Sequence, residues 1–131
     1  MKQKEFISIF LAQTEPALCI LSDEDLRHDF DGFRHIEGSF VAVGDALLEG
    51  GNLAVMLTQD FSRELYSVIK QYTERRGMLQ IPVRGKWAQF EIDTHKTHLL
   101  LLVTPSVLAN IEKEYPLRQI VGMVCNGTIT E

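Results

Sequence analysis

The sequence predicts a single α/β domain over residues 1–131, with a mixed sheet of about six to seven strands, partly parallel and partly antiparallel, and helices packed on it. Three observations carry that prediction. Residues 53–57 (LAVML) and 98–103 (HLLLLV) are apolar runs of strand length, as expected for strands buried on both faces of a sheet. Each is followed by an amphipathic helical segment, 61–76 and 105–115. Arg84 and Gly85 form a two-residue connection between strand-like segments, the spacing of a β-hairpin.

The stretch 52–85 is the clearest unit. Gly50, Gly51 and Asn52 bound its first strand on one side and Thr58 on the other. Phe61, Leu65, Val68, Ile69 and Tyr72 fall at i, i+4, i+7, i+8 and i+11 and share one helical face, while Arg63, Glu64, Lys70, Gln71 and Glu74 face away. Thr58 or Asp60 can accept the free amides at the helix start. Arg75 and Arg76 suit the negative end of its dipole, and Gly77 can close it in the left-handed conformation. Residues 78–83 return as a strand whose Pro82 suits a strand end or an edge. Across the turn, in 86–92, Ala88, Phe90 and Ile92 alternate with Trp87, Gln89 and Glu91, which puts Trp87 on the solvent face.

Around that unit, residues 2–13 carry Phe6, Ile7, Phe10 and Leu11 at helical spacing, and 17–21 is a short apolar strand behind Pro16. Ser22 followed by Asp23, Glu24 and Asp25 has the form of a cap and acidic first turn, opening a helix through about His35 that contains Asp29, Asp31 and Gly32. Gly38 and Ser39 open a strand at 40–43, and GDALLEGGN (44–52) reads as a loop or a single helical turn. Thr104 is a natural N-cap with Pro105 at the first helical position. Val107, Leu108, Ile111 and Tyr115 make a second apolar stripe that ends before Pro116. Residues 117–125 close as a strand. The expectation is two strand, helix, strand units, 53–83 and 98–125, joined by an antiparallel meander, with helices on both faces of the sheet.

With 131 residues, 45% hydrophobic and 24% charged, the chain is large enough for one core. Its net charge is −5 and its basic residues are dispersed except for Arg75, Arg76, Arg84 and Lys86, which argues against a nucleic-acid partner. The apolar stretch near the N-terminus is interrupted by Ser8 and preceded by Glu5, unlike a signal peptide. No run approaches the roughly 18 apolar residues of a membrane span, so the expectation is a cytoplasmic protein without membrane insertion. Cys19 and Cys125 lie in apolar runs, where reduced cysteine behaves as a small buried hydrophobe.

No metal, nucleophile or phosphate-loop signature names a reaction, and neither a cofactor nor a metal site is predicted. Asp23, Glu24 and Asp25 follow the first strand and Asp60 follows a later one. At the carboxyl ends of neighbouring strands they would form a Mg²⁺ or phosphate site; at a helix start they simply answer the dipole. Together with Thr104 they partly fit the phosphoacceptor site of receiver domains, but Cys125, Asn126 and Gly127 stand where a Lys is required. An EF-hand register through Asp29 and Asp31 fails, because it places Arg27 first and Gly38 last. Asp93, His95 and His98 alternate across a turn without a distant further ligand, and His28 and His35 share a solvated face. Gly44, Gly50 and Gly51 lack the spacing of a phosphate-binding loop. Arg75, Arg76, Arg84 and Lys86 can gather at one end of the central unit to bind an anion or an acidic partner, or serve only the helix end and the turn. Trp87 is the better interaction candidate, since an exposed aromatic at a sheet edge has little structural reason to be there.

SDED after a short apolar strand, Gly32 and Ile36 beyond it, then LAVMLTQDFSRELYSVIKQY and LQIP, together resemble the central-stalk F subunit of rotary V/A-type ATPases over about residues 17–85. The resemblance implies a non-enzymatic regulatory subunit that docks on partners. The chain departs from that pattern at 44–52, too short for the crossover helix that family places between its second and third strands, and at 86–131, which have no counterpart. The expectation is a non-catalytic protein-interaction or regulatory domain, binding a protein partner or itself. The alternative is a small-ligand or Mg²⁺-dependent phosphate-handling domain using Asp23, Glu24, Asp25 and Asp60.

Overall fold

Leu53, Ala54 and Val55 on one strand and residues 99–103 on another, all buried, lie side by side at the centre of a parallel sheet, the place unbroken apolar runs require. The computed structural model describes residues 1–13, 15–20, 30–74, 77–83, 86–93, 96–127 and 129. In chain order the elements are α1 (Gln3–Leu11), β1 (Ala17–Ile20), β2 (Arg34–Ile36), α2 (Phe40–Glu49), β3 (Gly51–Met56), α3 (Arg63–Glu74), β4 (Met78–Val83), β5 (Lys86–Glu91), β6 (Thr97–Val103), α4 (Pro105–Glu112), α5 (Leu117–Ile120) and β7 (Met123–Asn126). Five strands form one parallel sheet in the order β2-β3-β6-β1-β7, and β4 pairs antiparallel with β5 as a two-stranded hairpin. The α/β class and the mixture of parallel and antiparallel strands agree with the sequence expectation.

Side chains alternate between two layers. Leu18, Ile20, Leu53, Val55, Leu99 and Leu101 pack against α2, α3, α4 and α5, while Ala17, Cys19, Ala54, Leu100 and Leu102 meet Phe6 and Phe10 of α1 together with Phe30. Both faces of the sheet are thereby covered. The steps from β2 to β3 and from β3 to β6 run over the first face, and the long step from β1 back to β2 brings Phe30 onto the other.

Five expectations are corrected. Residues 40–49 are a helix, not a strand and a loop: Ser39 Oγ accepts the Ala42 amide at 3.2 Å, and Val43, Ala46 and Leu47 form its buried face. Local composition, with Val41, Val43 and Gly44, favours a strand and a break, but packing overrides it. A Cβ on Gly44 would stand 2.5 Å from Cδ1 of Ile81, so the glycine lets α2 approach the hairpin. α2 is thus a crossover helix between β2 and β3. Residues 34–36 are an edge strand rather than the end of a helix; residues 21–29 of that expected helix lie outside the described residues.

The hairpin is an insertion. β3 pairs with β6 and not with β4, so the crossover that starts in α3 is completed only after β4 and β5. Residues 117–125 divide into α5 and β7, because the Glu112 carboxylate accepts the Arg118 amide at 3.1 Å and Leu117 is buried in a helical turn. At the start of α3, Ser62 rather than Thr58 or Asp60 caps the helix, its Oγ accepting the Leu65 amide at 3.0 Å. Thr58 Oγ1 instead accepts the Asp60 amide at 3.2 Å within the preceding turn. Gly77, at φ 72°, follows the helix in the left-handed conformation, as its sequence position suggests.

Candidate functional site

The amphipathic face of α3 fixes the hairpin. Leu65, Val68, Ile69 and Tyr72 are buried against the sheet side, and the Tyr72 hydroxyl donates to the Thr97 carbonyl at 2.5 Å. The Thr97 hydroxyl donates to the Asp93 carbonyl at 3.0 Å, so the chain leaving β5 for β6 is tied at two points. Leu79, Ile81 and Ile92 on the inner face of the hairpin join the same core.

The next turn of α3 reaches the hairpin's backbone. Gln71 Nε2 donates to the Gln80 carbonyl at 3.1 Å, and the Gln80 amide donates to Gln71 Oε1 at 2.7 Å. Both backbone groups of Gln80 therefore point away from β5, and β4 is closed on its far side at that position. On the outer face of the hairpin, Gln71 and Glu74 of α3, Met78 and Gln80 of β4, and Trp87 and Gln89 of β5 line an open groove of about 540 Å³. Trp87 is 63% exposed and Met78 is also exposed, so the groove sets exposed apolar side chains beside the amides of Gln71, Gln80 and Gln89.

Of the predicted interaction residues, Trp87 and Lys86 are exposed on β5, and Arg75, Arg76 and Arg84 lie outside the described residues. Asp23, Glu24 and Asp25 also lie outside them. Asp60 is exposed after β3, and β6 separates β3 from β1, so Asp60 does not follow a neighbour of the strand that precedes 23–25. Two strand spacings, roughly 10 Å, intervene. Between them, Thr104 Oγ1 accepts the Val107 amide at 3.4 Å as the cap of α4.

Other candidates have structural employment. His98 Nδ1 lies 3.0 Å from Asn52 Oδ1 on the neighbouring strand, and its ring meets Phe10 edge-on. His95 and His28 lie outside the described residues, among which no three His, Cys, Asp or Glu side chains gather as a metal site. Cys19 and Cys125 are in register on β1 and β7. Burial, with Cys125 alongside, pushes the Cys19 thiol up to about 12, and burial also raises Cys125. Neither is an activated nucleophile. No helix among the described residues is long and apolar enough to cross a membrane.

Sequence patterning does not single out Gln71, Gln80 or Gln89. The available signal was the two-residue hairpin connection: its closing pair is hydrogen-bonded, alternate pairs are not, and Gln80 and Gln89 fall in a pair whose backbone groups point outward. No protein-family model matches the chain, and no curated protein matches it.

Proposed function

We propose that this chain is a non-catalytic protein-interaction domain, acting in the cytoplasm, whose docking element is the β4–β5 hairpin. The observation that carries the reading is Trp87, 63% exposed and lining an open groove, on a strand that among the described residues pairs only with β4. A large aromatic left in water forgoes burial worth on the order of 2 kcal/mol, and interfaces concentrate their energy in such residues. The likeness to the F subunit of rotary V/A-type ATPases supports the same reading. α2 supplies the crossover helix whose expected absence was one of its departures. A regulatory subunit that docks on partners is what that likeness implies.

Affinity capture from native lysate, beside size-exclusion chromatography with light scattering, tests the proposal. Trp87→Ala is expected to lose the partner or the self-association while keeping the fold. If the wild-type chain captures nothing and does not self-associate, the reading fails.

A second reading rests on where the chain connections part. Phe30, in the connection after β1, packs on the face covered by α1, whereas β6 leads to α4 on the opposite face, and α/β sheets take ligands beyond the carboxyl ends of such strands. The acidic residues 23–25 follow β1, and Asp60 follows β3, which lies on the other side of β6. The ligand class is a small phosphate compound held with Mg²⁺. Calorimetric titration with Mg²⁺ and nucleotides decides it: neither heat nor thermal shift at millimolar ligand would remove this reading.

A further inference from the structure

Gln71 reveals the backbone phase of the whole hairpin. Because it takes the N–H and C=O of Gln80, the Gln80/Gln89 pair is a non-hydrogen-bonded one, and Gln89 must also turn its N–H and C=O away from the hairpin. The Ile92 amide donates to the Gly77 carbonyl at 2.8 Å, and Ile92 lies two residues from Phe90 and four from Ala88, so the even-numbered residues of β5 serve the hairpin. Trp87, Gln89 and Glu91 therefore present a row of free backbone groups on the outer edge of β5, and no described residue pairs with them. Their side chains are all exposed.

We propose that this edge is a self-association surface: two copies pair β5 antiparallel about a twofold axis through Gln89, joining their hairpins into a continuous four-stranded sheet. The inference rests on the interaction reading above and names its partner as a second copy of this chain.

Geometry selects the register. A twofold axis normal to a sheet pairs residues that point to the same face, so odd-numbered residues meet odd-numbered ones. Hydrogen-bonded pairs must come from the outward-pointing set, Trp87, Gln89 and Glu91. Centring on Gln89 uses all three on each copy: Gln89 meets its own counterpart and Trp87 meets Glu91 of the second copy. That gives roughly six interchain backbone bonds at two per close pair. An axis through Trp87 leaves Glu91 unmatched and runs the pairing into the turn.

The side chains agree with that register. On the groove face the indole N–H of Trp87, a donor only, stands opposite the acceptor carboxylate of Glu91, and the Gln89 amide meets an identical amide that both donates and accepts. On the inner face Ala88 stands opposite Phe90, both half-buried and apolar. No like charges are opposed, although each copy carries a net charge of −5. Along this segment the chain is complementary to itself, which a strand of unrelated sequence has no reason to be.

Analytical ultracentrifugation over a concentration series tests the proposal with Gln89→Pro. The Gln89 N–H takes no part in the hairpin, and Pro82 already occupies the equivalent phase of β4, so proline there removes only the intermolecular donor. The wild type is expected to dimerise, and Gln89→Pro to dimerise at least about tenfold more weakly, through two lost bonds about the axis, with an unchanged circular dichroism spectrum. Register is read by cysteine crosslinking. Gln89→Cys places two thiols at the close-pair Cα spacing of about 5.5 Å and is expected to form a disulfide-linked dimer on mild oxidation, while Ala88→Cys, offset along the strands, is not. A wild-type chain that stays monomeric yet captures another protein through Trp87 overturns the self-pairing and leaves the interaction reading intact. A dimer insensitive to Gln89→Pro, or crosslinked by Ala88→Cys in preference to Gln89→Cys, also overturns it. A monomer that captures nothing overturns both.

Discussion

Gln71 grips Gln80 by both backbone groups, accepting its N–H at 2.7 Å and donating to its carbonyl at 3.1 Å, so that a helical side chain closes the edge of a β-strand. An unpaired edge invites association, and within the hairpin this contact closes β4 at Gln80 and leaves the outer edge of β5. Gln71→Ala should therefore reopen β4. The two bonds are solvent-accessible, so the expected loss in urea denaturation is about 1–2 kcal/mol. Hydrogen exchange gives the sharper readout. The Gln80 amide should exchange faster in the variant, whereas the Leu79 and Ile81 amides, which face β5, should change only with global stability. Unchanged protection at Gln80 would contradict the assignment.

Two glycines that look alike in the sequence should respond differently to the same change. A Cβ on Gly38 would collide with the carbonyl oxygen of Met56, at the end of β3. Backbone cannot step aside, and Gly38→Ala is expected to cost about 2–3 kcal/mol. At Gly44 the obstacle is Cδ1 of Ile81, a methyl that can rotate, and alanine recovers up to about 1 kcal/mol of helix propensity in α2. Gly44→Ala should fall within about 1 kcal/mol of wild type, and Ile81→Val beside it should ease the contact. Thermal denaturation of the two variants distinguishes them.

The same residues show what a sequence can and cannot reveal. β3, α3, β6 and the Thr104–Pro105 start of α4 were legible because each is dictated within a short window: an apolar run, a stripe at helical spacing, a cap. α2 was not, because Gly44 and its β-branched neighbours argue for a break and only contact with Ile81 explains the glycine. Strand partners are nonlocal as well, and nothing near residue 78 says that β3 pairs with β6 rather than β4. At the candidate site, strand alternation placed Trp87 in solvent correctly. A helical projection of Gln71 shows only that it faces away from the core, while its grip on Gln80 depends on where the inserted hairpin comes to rest.

Tyr72 joins α3 to the start of β6, where its buried hydroxyl donates to the Thr97 carbonyl at 2.5 Å. Tyr72→Phe keeps the ring and leaves that carbonyl short of a partner in the core. The expected loss is about 1–3 kcal/mol by urea denaturation. Because Thr97 also anchors the exit from the hairpin through Asp93, exchange at residues 92 and 97 should rise more than exchange in β1. Equal changes in both places would mean that Tyr72 contributes only to global stability.

Cys19 supplies a pH-dependent test of packing between β1 and β7. Its thiol is pushed up to about 12, first by burial and then by the adjacent Cys125. Below the unfolded value of about 9, folded and unfolded chains hold the proton equally and the thiol adds no pH dependence. Between about 9 and about 12 the unfolded thiol ionises while the folded one stays protonated, so unfolding releases a proton and stability falls as pH rises. The slope from this group is at most about 1.4 kcal/mol per pH unit. The comparison is with Cys19→Ala, which should start less stable because a small buried group is lost and then decline less steeply above about pH 9. Parallel declines for the two proteins would show that the Cys19 thiol meets water in the folded state, contrary to its burial between Leu102 on β6 and Cys125 on β7.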